Sequence, residues 1–320
     1  MMKKKQYTHI LLSILYSGFF FFLFIYTGQT GHQISQRQDR MLKDTPDIVM
    51  LGNSLLRAGV DIKDFSRQTG LRTHRSYSNG SASAWWYLCV KNVLCETSPS
   101  PRYAFIFFRD HFLTDPAFRT IGVYRRPIRQ LSHKKEPVLY QTISNYGQMT
   151  SKTWAIDEAK AWWERRIKKI TRGLLGLSPG VIQSSLQEVF HEKNMQGDKF
   201  HQQQLNSEIA SSIDLFDFNQ KYPKSFLPEM ISLAKEKGIQ LVFVRLKRRY
   251  SEEAPYLTKY MNDLKELLAR HQVKLLDFSK EPSIKEEHFG SGDHLNIEGK
   301  ELFTKLLSAE VNVLFRKKLL

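Results

Sequence analysis

Short apolar blocks alternate with amphipathic segments along most of the chain. Five blocks have the pattern of strands: 48–51, 71–77, 103–108, 239–244 and 273–278. Apolar stripes and helix-end residues predict helices over about 82–95, 226–237, 255–271 and 299–320. This alternation of strand and helix predicts an α/β domain in which helices cover both faces of a parallel sheet.

A long insertion, about residues 112–222, interrupts the alternation because it contains no segment with a strand pattern. We expect it to be mainly helical. One predicted helix, over 154–172, combines tryptophans with cations, which are Trp154, Trp162, Trp163, Arg165, Arg166, Lys168, Lys169 and Arg172. Two interpretations of that helix stay open. It is either a solvated helix face, or a surface that contacts lipid headgroups or a membrane-protein partner.

The N-terminus has the pattern of a membrane anchor. Residues 10–27 carry no charge and are mostly Ile, Leu, Phe and Tyr, enough to span about 30 Å of hydrocarbon. The flank lacks the small-x-small site of a cleaved signal peptide, which favours an uncleaved anchor in the inner or plasma membrane. Lysines at 3–5 predict a cytoplasmic N-terminus. The expected organisation is an N-terminus and anchor over 1–28, a juxtamembrane stalk over 29–46, and an extracytoplasmic domain over 47–320.

The charge of the chain narrows the classes of partner. It carries 48 Lys+Arg against 32 Asp+Glu, a formal charge of +16 at pH 7. Such an excess favours an anionic partner, which is nucleic acid, anionic lipid or an acidic polymer. Because the domain is expected outside the cytoplasm, we do not expect DNA or RNA to be the partner.

The two cysteines are predicted to be buried thiols. Cys89 and Cys95 fall six residues apart in one predicted helix, so they lie about 9 Å apart along its axis and on different faces. A disulfide between them would require the helix to break. No His or Cys cluster accompanies them, so no metal site is expected.

The first strand ends in the turn Gly52-Asn53-Ser54, which allows two interpretations of Ser54. Serine at the start of a helix can cap it by accepting a hydrogen bond from a free backbone N–H. Alternatively, Ser54 is a nucleophile, because a strand-to-helix turn holds a hydroxyl at the carboxyl edge of the sheet, where open α/β folds bind ligands.

Polar residues after other strands fall where a site built on Ser54 would need them. Asn79 and Gly80 follow the second strand, and the backbone N–H at Gly80 could approach a reacting carbonyl closely. Arg109 and Asp110 follow the third strand. His294 lies on the loop before the last helix and is the candidate base, because a serine hydroxyl is a poor nucleophile until a base takes its proton.

These motifs resemble those of the SGNH (GDSL-like) hydrolase and acyltransferase superfamily. Gly52-Asn53-Ser54 is similar to the first block of that family, with Asn53 in place of the usual aspartate, and Gly80 is similar to its second-block glycine. The run 293–296 (DHLN) is similar to its last block. The resemblance covers about 47–111 and 226–310, and it implies a three-layer, flavodoxin-like α/β/α fold. The segment 233–244 resembles the penultimate helix-strand unit of membrane-anchored members of the alginate O-acetyltransferase and D-alanyl transfer type.

The chain departs from the family pattern at two points. The family carries aspartate three residues before its histidine, where this chain has Ser291, so the third member is Asp293, another carboxylate such as Glu286 or Glu287, or absent. The third-block asparagine is also missing. Arg109 or Asp110 stands in its place, and the Arg109 guanidinium could stabilise an oxyanion.

The resemblance implies chemistry through a seryl ester of Ser54, with His294 as base and no cofactor. Its anchored members imply O-acyl transfer, with acetyl the expected group, to a cell-surface or lipid-linked saccharide. A multi-spanning membrane O-acyltransferase is the expected partner that supplies the acyl group. Carbohydrate esterase is the alternative activity. A non-catalytic scaffold that binds glycan or a membrane partner is the second alternative.

Overall fold

The computed structural model describes residues 45–133, 135–145, 217–250 and 255–316. The five strands are β1 (Ile48–Gly52), β2 (Thr73–Tyr77), β3 (Tyr103–Phe108), β4 (Gln240–Arg245) and β5 (Lys274–Asp277). The α-helices in these ranges are α1 (Ser54–Gly59), α2 (Ile62–Thr69), α3 (Ser83–Cys89), α4 (Arg125–Leu131), α5 (Pro137–Ser144), α6 (Phe218–Lys221), α7 (Leu227–Glu236), α8 (Pro255–Arg270) and α9 (Ile297–Arg316).

All five strands pair in parallel in the order β2-β1-β3-β4-β5. This order confirms the predicted flavodoxin-like sheet. The strand order reverses between β1 and β3, so the chain leaves a crevice beside the carboxyl end of β1. Open α/β sheets bind ligands at such a point.

The inner strands β1, β3 and β4 are buried on both faces, and their successive side chains enter opposite layers. Val49 of β1 packs in one cluster with residues of α3, α7 and α8. Its neighbour Met50 packs in the other cluster with residues of α1, α2 and α9. The predicted three-layer arrangement is therefore confirmed.

The predicted helix over 82–95 changes half-way from α-helical to π-helical geometry. It begins as α3 and continues as a π-helical turn, Val90–Leu94. Cys89 and Cys95 are both free thiols and both buried, as predicted. Burial raises the pKa of the Cys95 thiol to about 11, so this group is protonated at neutral pH.

The insertion is described only at its two ends. The ends form α4, α5 and α6, which agrees with the mainly helical prediction. The predicted helix over 154–172 lies outside the described residues.

The predicted anchor over 1–28 and most of the stalk also lie outside the described residues. Of the helices that the structure describes, none is both long and apolar enough to cross a membrane.

Candidate active site

Ser54 is the first residue of α1 and directly follows the turn after β1. The cap of this helix is Asn53, whose Oδ1 accepts a hydrogen bond from the Leu55 N–H at 2.9 Å. The Ser54 hydroxyl lies 2.9 Å from Nε2 of His294. Of the two interpretations of Ser54, the capping function thus belongs to its neighbour, and the serine hydroxyl is left for the histidine.

A tight loop presents His294 to the serine. Phe289 and Leu295 form an isolated antiparallel bridge that closes this loop. Nδ1 of His294 lies 2.9 Å from the backbone carbonyl oxygen of Ser291. Because a carbonyl only accepts, we assign the proton of the neutral ring to Nδ1. Nε2 then carries a lone pair beside the Ser54 hydroxyl, which is the arrangement that a general base needs.

The hydrogen bonds of Asp293 do not favour its predicted role as the third member of a triad, since both carboxylate oxygens have other partners. One carboxylate oxygen pairs with Nη1 of Arg109, and the other accepts the Arg249 N–H at 2.9 Å. Asp293 directly precedes His294 in the chain. Neighbouring residues on a tight loop direct their side chains apart, which disfavours a contact between this carboxylate and the histidine ring.

The other candidate carboxylates on this loop are also engaged elsewhere or contribute only backbone. Glu286 lies 3.3 Å from Nη2 of Arg249. Glu287 contributes its backbone carbonyl, which accepts from Nδ2 of Asn296 at 2.7 Å. In the described part of the chain, the Nδ1 partner of the histidine is therefore a carbonyl.

Arg109 ties the end of β3 to the histidine loop. Its Nε lies 3.1 Å from Oδ2 of Asp110, while its Nη1 pairs with Asp293. The same Asp110 oxygen lies 3.2 Å from Nη2 of Arg248. Burial lowers the pKa of Arg109, Asp110 raises it and the Arg248 charge lowers it again. The oxyanion roles predicted for Arg109 and Asp110 stay predictions that this pairing does not favour, since a carboxylate cannot donate and two guanidinium nitrogens are engaged.

The turn after β2 is fastened to the turn that carries Ser54. Nδ2 of Asn53 donates to the Ser81 carbonyl at 3.3 Å, and the Ser81 hydroxyl donates to the Gly52 carbonyl at 3.0 Å. Both bonds are buried. They bring the predicted Asn79-Gly80 segment beside the serine.

Gly80 is required by its surroundings. Its φ is +70°, and a Cβ placed there would lie 2.2 Å from Cε1 of Tyr124. The Tyr124 ring, at the start of the insertion, thus packs directly on the turn. Asn79 beside it is exposed.

Several residues of the site were missed by sequence reasoning. Arg248 and Arg249 follow β4 at the same sheet edge as Arg109, so their position carried a usable signal. The contact from the Ser291 carbonyl had no sequence signal, because every residue has a backbone carbonyl. No pattern placed Tyr124 against the Gly80 turn.

The described ranges contain no group of three or more His, Cys, Asp or Glu side chains placed to hold a metal ion. The residues assembled around Ser54 are suited to proton transfer and nucleophilic attack.

Two solved structures are similar to this chain. A candidate acylhydrolase from Bacteroides fragilis shares 11% identity with a TM-score of 0.40, over 85% of this chain and 88% of that chain. A GDSL-like lipase from Bacteroides thetaiotaomicron shares 10% identity with a TM-score of 0.39, over 82% of this chain and 86% of that chain. No protein-family model and no curated protein matches the chain. Likeness at this level carries no weight for activity, which must be inferred from the site itself.

Proposed function

We propose that the chain is an SGNH-type serine enzyme that transfers acyl groups through an ester of Ser54. The observation that carries this proposal is the 2.9 Å contact between Ser54 Oγ and Nε2 of His294. It is supported by the Ser291 carbonyl at 2.9 Å from Nδ1, which leaves Nε2 unprotonated. A hydroxyl and a base at this distance, on the edge of the sheet where the strand order reverses, form the minimal apparatus of nucleophilic acyl chemistry.

The proposed reaction has two halves. In the first, Ser54 Oγ attacks the acyl carbonyl while His294 Nε2 takes the hydroxyl proton. The tetrahedral intermediate then collapses, the bond to the leaving alcohol breaks, and His294 returns the proton to that alcohol. In the second half, a saccharide hydroxyl gives its proton to Nε2 and attacks the seryl ester. The acyl group moves to the sugar, and the proton returns to Ser54.

The negative oxygen of each intermediate needs hydrogen-bond donors. The backbone N–H of Ser54 and that of Gly80 are the proposed donors, since neither has a partner in the described residues. Glycine at position 80 adopts the φ of +70° that this turn needs, a conformation that residues with a side chain rarely adopt. Two donors of this kind stabilise the intermediate without any contribution from the Arg109 guanidinium.

The proposed acceptor is a cell-surface or lipid-linked saccharide, and the proposed acyl group is acetyl. A membrane anchor at residues 10–27 would hold the domain outside the cytoplasm, where a multi-spanning O-acyltransferase could deliver the acyl group. The support is the uncharged N-terminal run and the formal charge of +16, which suits an anionic glycan.

The test is a comparison of transfer with hydrolysis. Full-length protein is given 4-nitrophenyl acetate with and without an oligosaccharide, and the acetylated sugar is quantified by mass spectrometry. We expect Ser54→Ala to lower release of nitrophenol by at least about 10³-fold. The matched control is Ser66→Ala on α2, which removes a hydroxyl of the same kind away from the site.

The outcomes separate the alternatives. Acetylated sugar that depends on Ser54 supports transfer. Hydrolysis that depends on Ser54 but never yields acetylated sugar favours the esterase. Parental glycan acetylation in cells that carry Ser54→Ala would leave only the non-catalytic scaffold.

A further inference from the structure

Four side chains form a continuous stack at the start of the insertion. The rings of Phe112 and Phe118 lie parallel, with centroids 4.3 Å apart and an interplanar angle of 9°. The guanidinium carbon of Arg119 lies 4.9 Å from the Phe118 centroid and 5.2 Å from the Tyr124 centroid. Tyr124 in turn lies against Gly80. The stack therefore ends on the turn that is fastened to the serine turn.

Arg119 differs in its partners from the three arginines that form ion pairs at this edge of the sheet. Arg109, Arg248 and Arg249 each contact a carboxylate. Arg119 has contacts with two aromatic rings, and it forms no ion pair or hydrogen bond with any residue that the structure describes. A half-buried guanidinium has lost part of its hydration, and ring faces replace only part of that loss. Its hydrogen-bond donors are thus available to a bound anion.

The backbone at Arg119 gives an independent indication. Its φ is +56°, in the left-handed region that favours glycine. Strained non-glycine residues of this kind cluster at functional sites. Asp110, which follows β3 beside the site, has the same φ of +56°.

Two sets of neighbours connect Arg119 to the residues around Ser54. On one side, Tyr124 connects it to Gly80 and so to the turn beside Ser54. On the other side, it is near Arg109, whose pKa is lowered first by burial and also by the Arg119 charge. Arg109 in turn holds the loop of the catalytic histidine.

We propose that Arg119 binds an oxyanion of the saccharide substrate, so that the enzyme acts on acidic sugars. This inference rests on the proposed acyl transfer at Ser54 and names the substrate class for it. The shared chemistry is a carboxylate, phosphate or sulfate, because a guanidinium donates paired hydrogen bonds to each of these groups. The formal charge of +16 would attract such a polymer from a distance.

The test uses two acetyl esters that differ at C6, where O-acetyl glucuronic acid has a carboxylate and O-acetyl glucose has a hydroxymethyl group. A third arm uses O-acetyl glucose phosphate. Deacetylation by the full-length protein gives the ratio of kcat/KM for an acidic ester to that for the neutral one. We expect a ratio of about 10 to 100, the value of one hydrogen-bonded charge pair. Arg119→Gln should bring the ratio close to one, and Arg119→Lys should keep part of it.

The matched control is Arg67→Gln on α2, an exposed arginine that pairs with Asp64. It removes the same charge and should leave the ratio at the parental value. A parental ratio near one for both anions, or an unchanged ratio in Arg119→Gln, would overturn the proposal.

A binding measurement separates this proposal from the proposed reaction. Glucuronic acid and glucose are titrated calorimetrically into full-length Ser54→Ala, with and without Arg119→Gln. Tighter binding of the acid that disappears with Arg119→Gln supports the anion site even if no ester is cleaved. Equal binding of both sugars overturns the anion site even if esters are cleaved.

Discussion

At the residue scale, the base of the proposed site is oriented by an uncharged group. A carboxylate on Nδ1 would both fix the tautomer and stabilise the imidazolium that forms during reaction. The Ser291 carbonyl at 2.9 Å fixes the tautomer but carries only a dipole. Asp293 is held instead by Arg109 and by the Arg249 N–H, so it acts on the loop rather than on the ring.

Replacement of Asp293 distinguishes a positioning residue from a triad acid. Asp293→Asn weakens the pairing with Arg109 and loosens the loop that carries His294. We expect kcat for 4-nitrophenyl acetate to fall by up to about 10²-fold, the cost of a small misplacement. A triad acid loses about 10⁴-fold on the same change. A loss of that size in a folded variant would restore Asp293 as the triad acid.

The buried His111 should make the stability of the fold depend on pH. Burial lowers its pKa to about 4, and the charge of Lys221 lowers it as well, against the opposing effects of Asp115 and Asp110. In the unfolded chain the ring titrates near 6.5. Between these values only the unfolded state binds the proton, so the free energy of unfolding should fall as the pH drops from about 6.5 to about 4.

His111→Gln removes this titration. Urea unfolding at a series of pH values should show a shallower loss of stability in the variant than in the parent over that window. Equal slopes in the two proteins would contradict a buried neutral histidine at this position.

At the element scale, the inner strands β1, β3 and β4 were predictable because they are buried on both faces. β3 is apolar at all positions of YAFIFF, and its bounds were predicted without error. The π-helical turn Val90–Leu94 was not predicted, since a single wider turn hardly changes the apolar periodicity of a helix.

The site was predictable only where residue type carries the chemistry. Ser54 and His294 were identified because few side chains serve as nucleophile and base. The Ser291 carbonyl and the packing of Tyr124 on Gly80 depend on loop geometry, which no local pattern encodes.

The packing between Gly80 and Tyr124 ties the insertion to the sheet, and it can be measured. Gly80→Ala adds a Cβ at φ +70° and overlaps the Tyr124 ring. We expect the free energy of unfolding to fall by at least about 2 kcal/mol, from backbone strain and overpacking together. In a Tyr124→Ala background the same change should cost about 1 kcal/mol, because only the strain remains.

Gly238→Ala is the matched control for that experiment. Its φ is +67°, but an added Cβ meets nothing within 4 Å. It should therefore cost about 1 kcal/mol in both backgrounds. If Gly80→Ala costs no more than this control, the overlap with the tyrosine is not a constraint on the turn.

At the scale of the whole molecule, the proposed function needs the domain to be held at a membrane. The full-length protein should sediment with membranes and resist extraction by high salt, because we expect the uncharged run over 10–27 to insert into the hydrocarbon. Deletion of 1–28 should release it. Recovery of a soluble, N-terminally trimmed form as the main product would show that this run is a cleaved signal instead.

The central claim is that Ser54 carries the acyl group. The most direct test is to mix the full-length protein with 4-nitrophenyl acetate, stop the reaction with acid and map the acetyl group by peptide mass spectrometry. We predict one acetyl group on the peptide that contains Ser54, absent in Ser54→Ala and strongly reduced in His294→Gln. Ester cleavage at the parental rate in Ser54→Ala, or an acetyl group found only on another residue, would contradict the account.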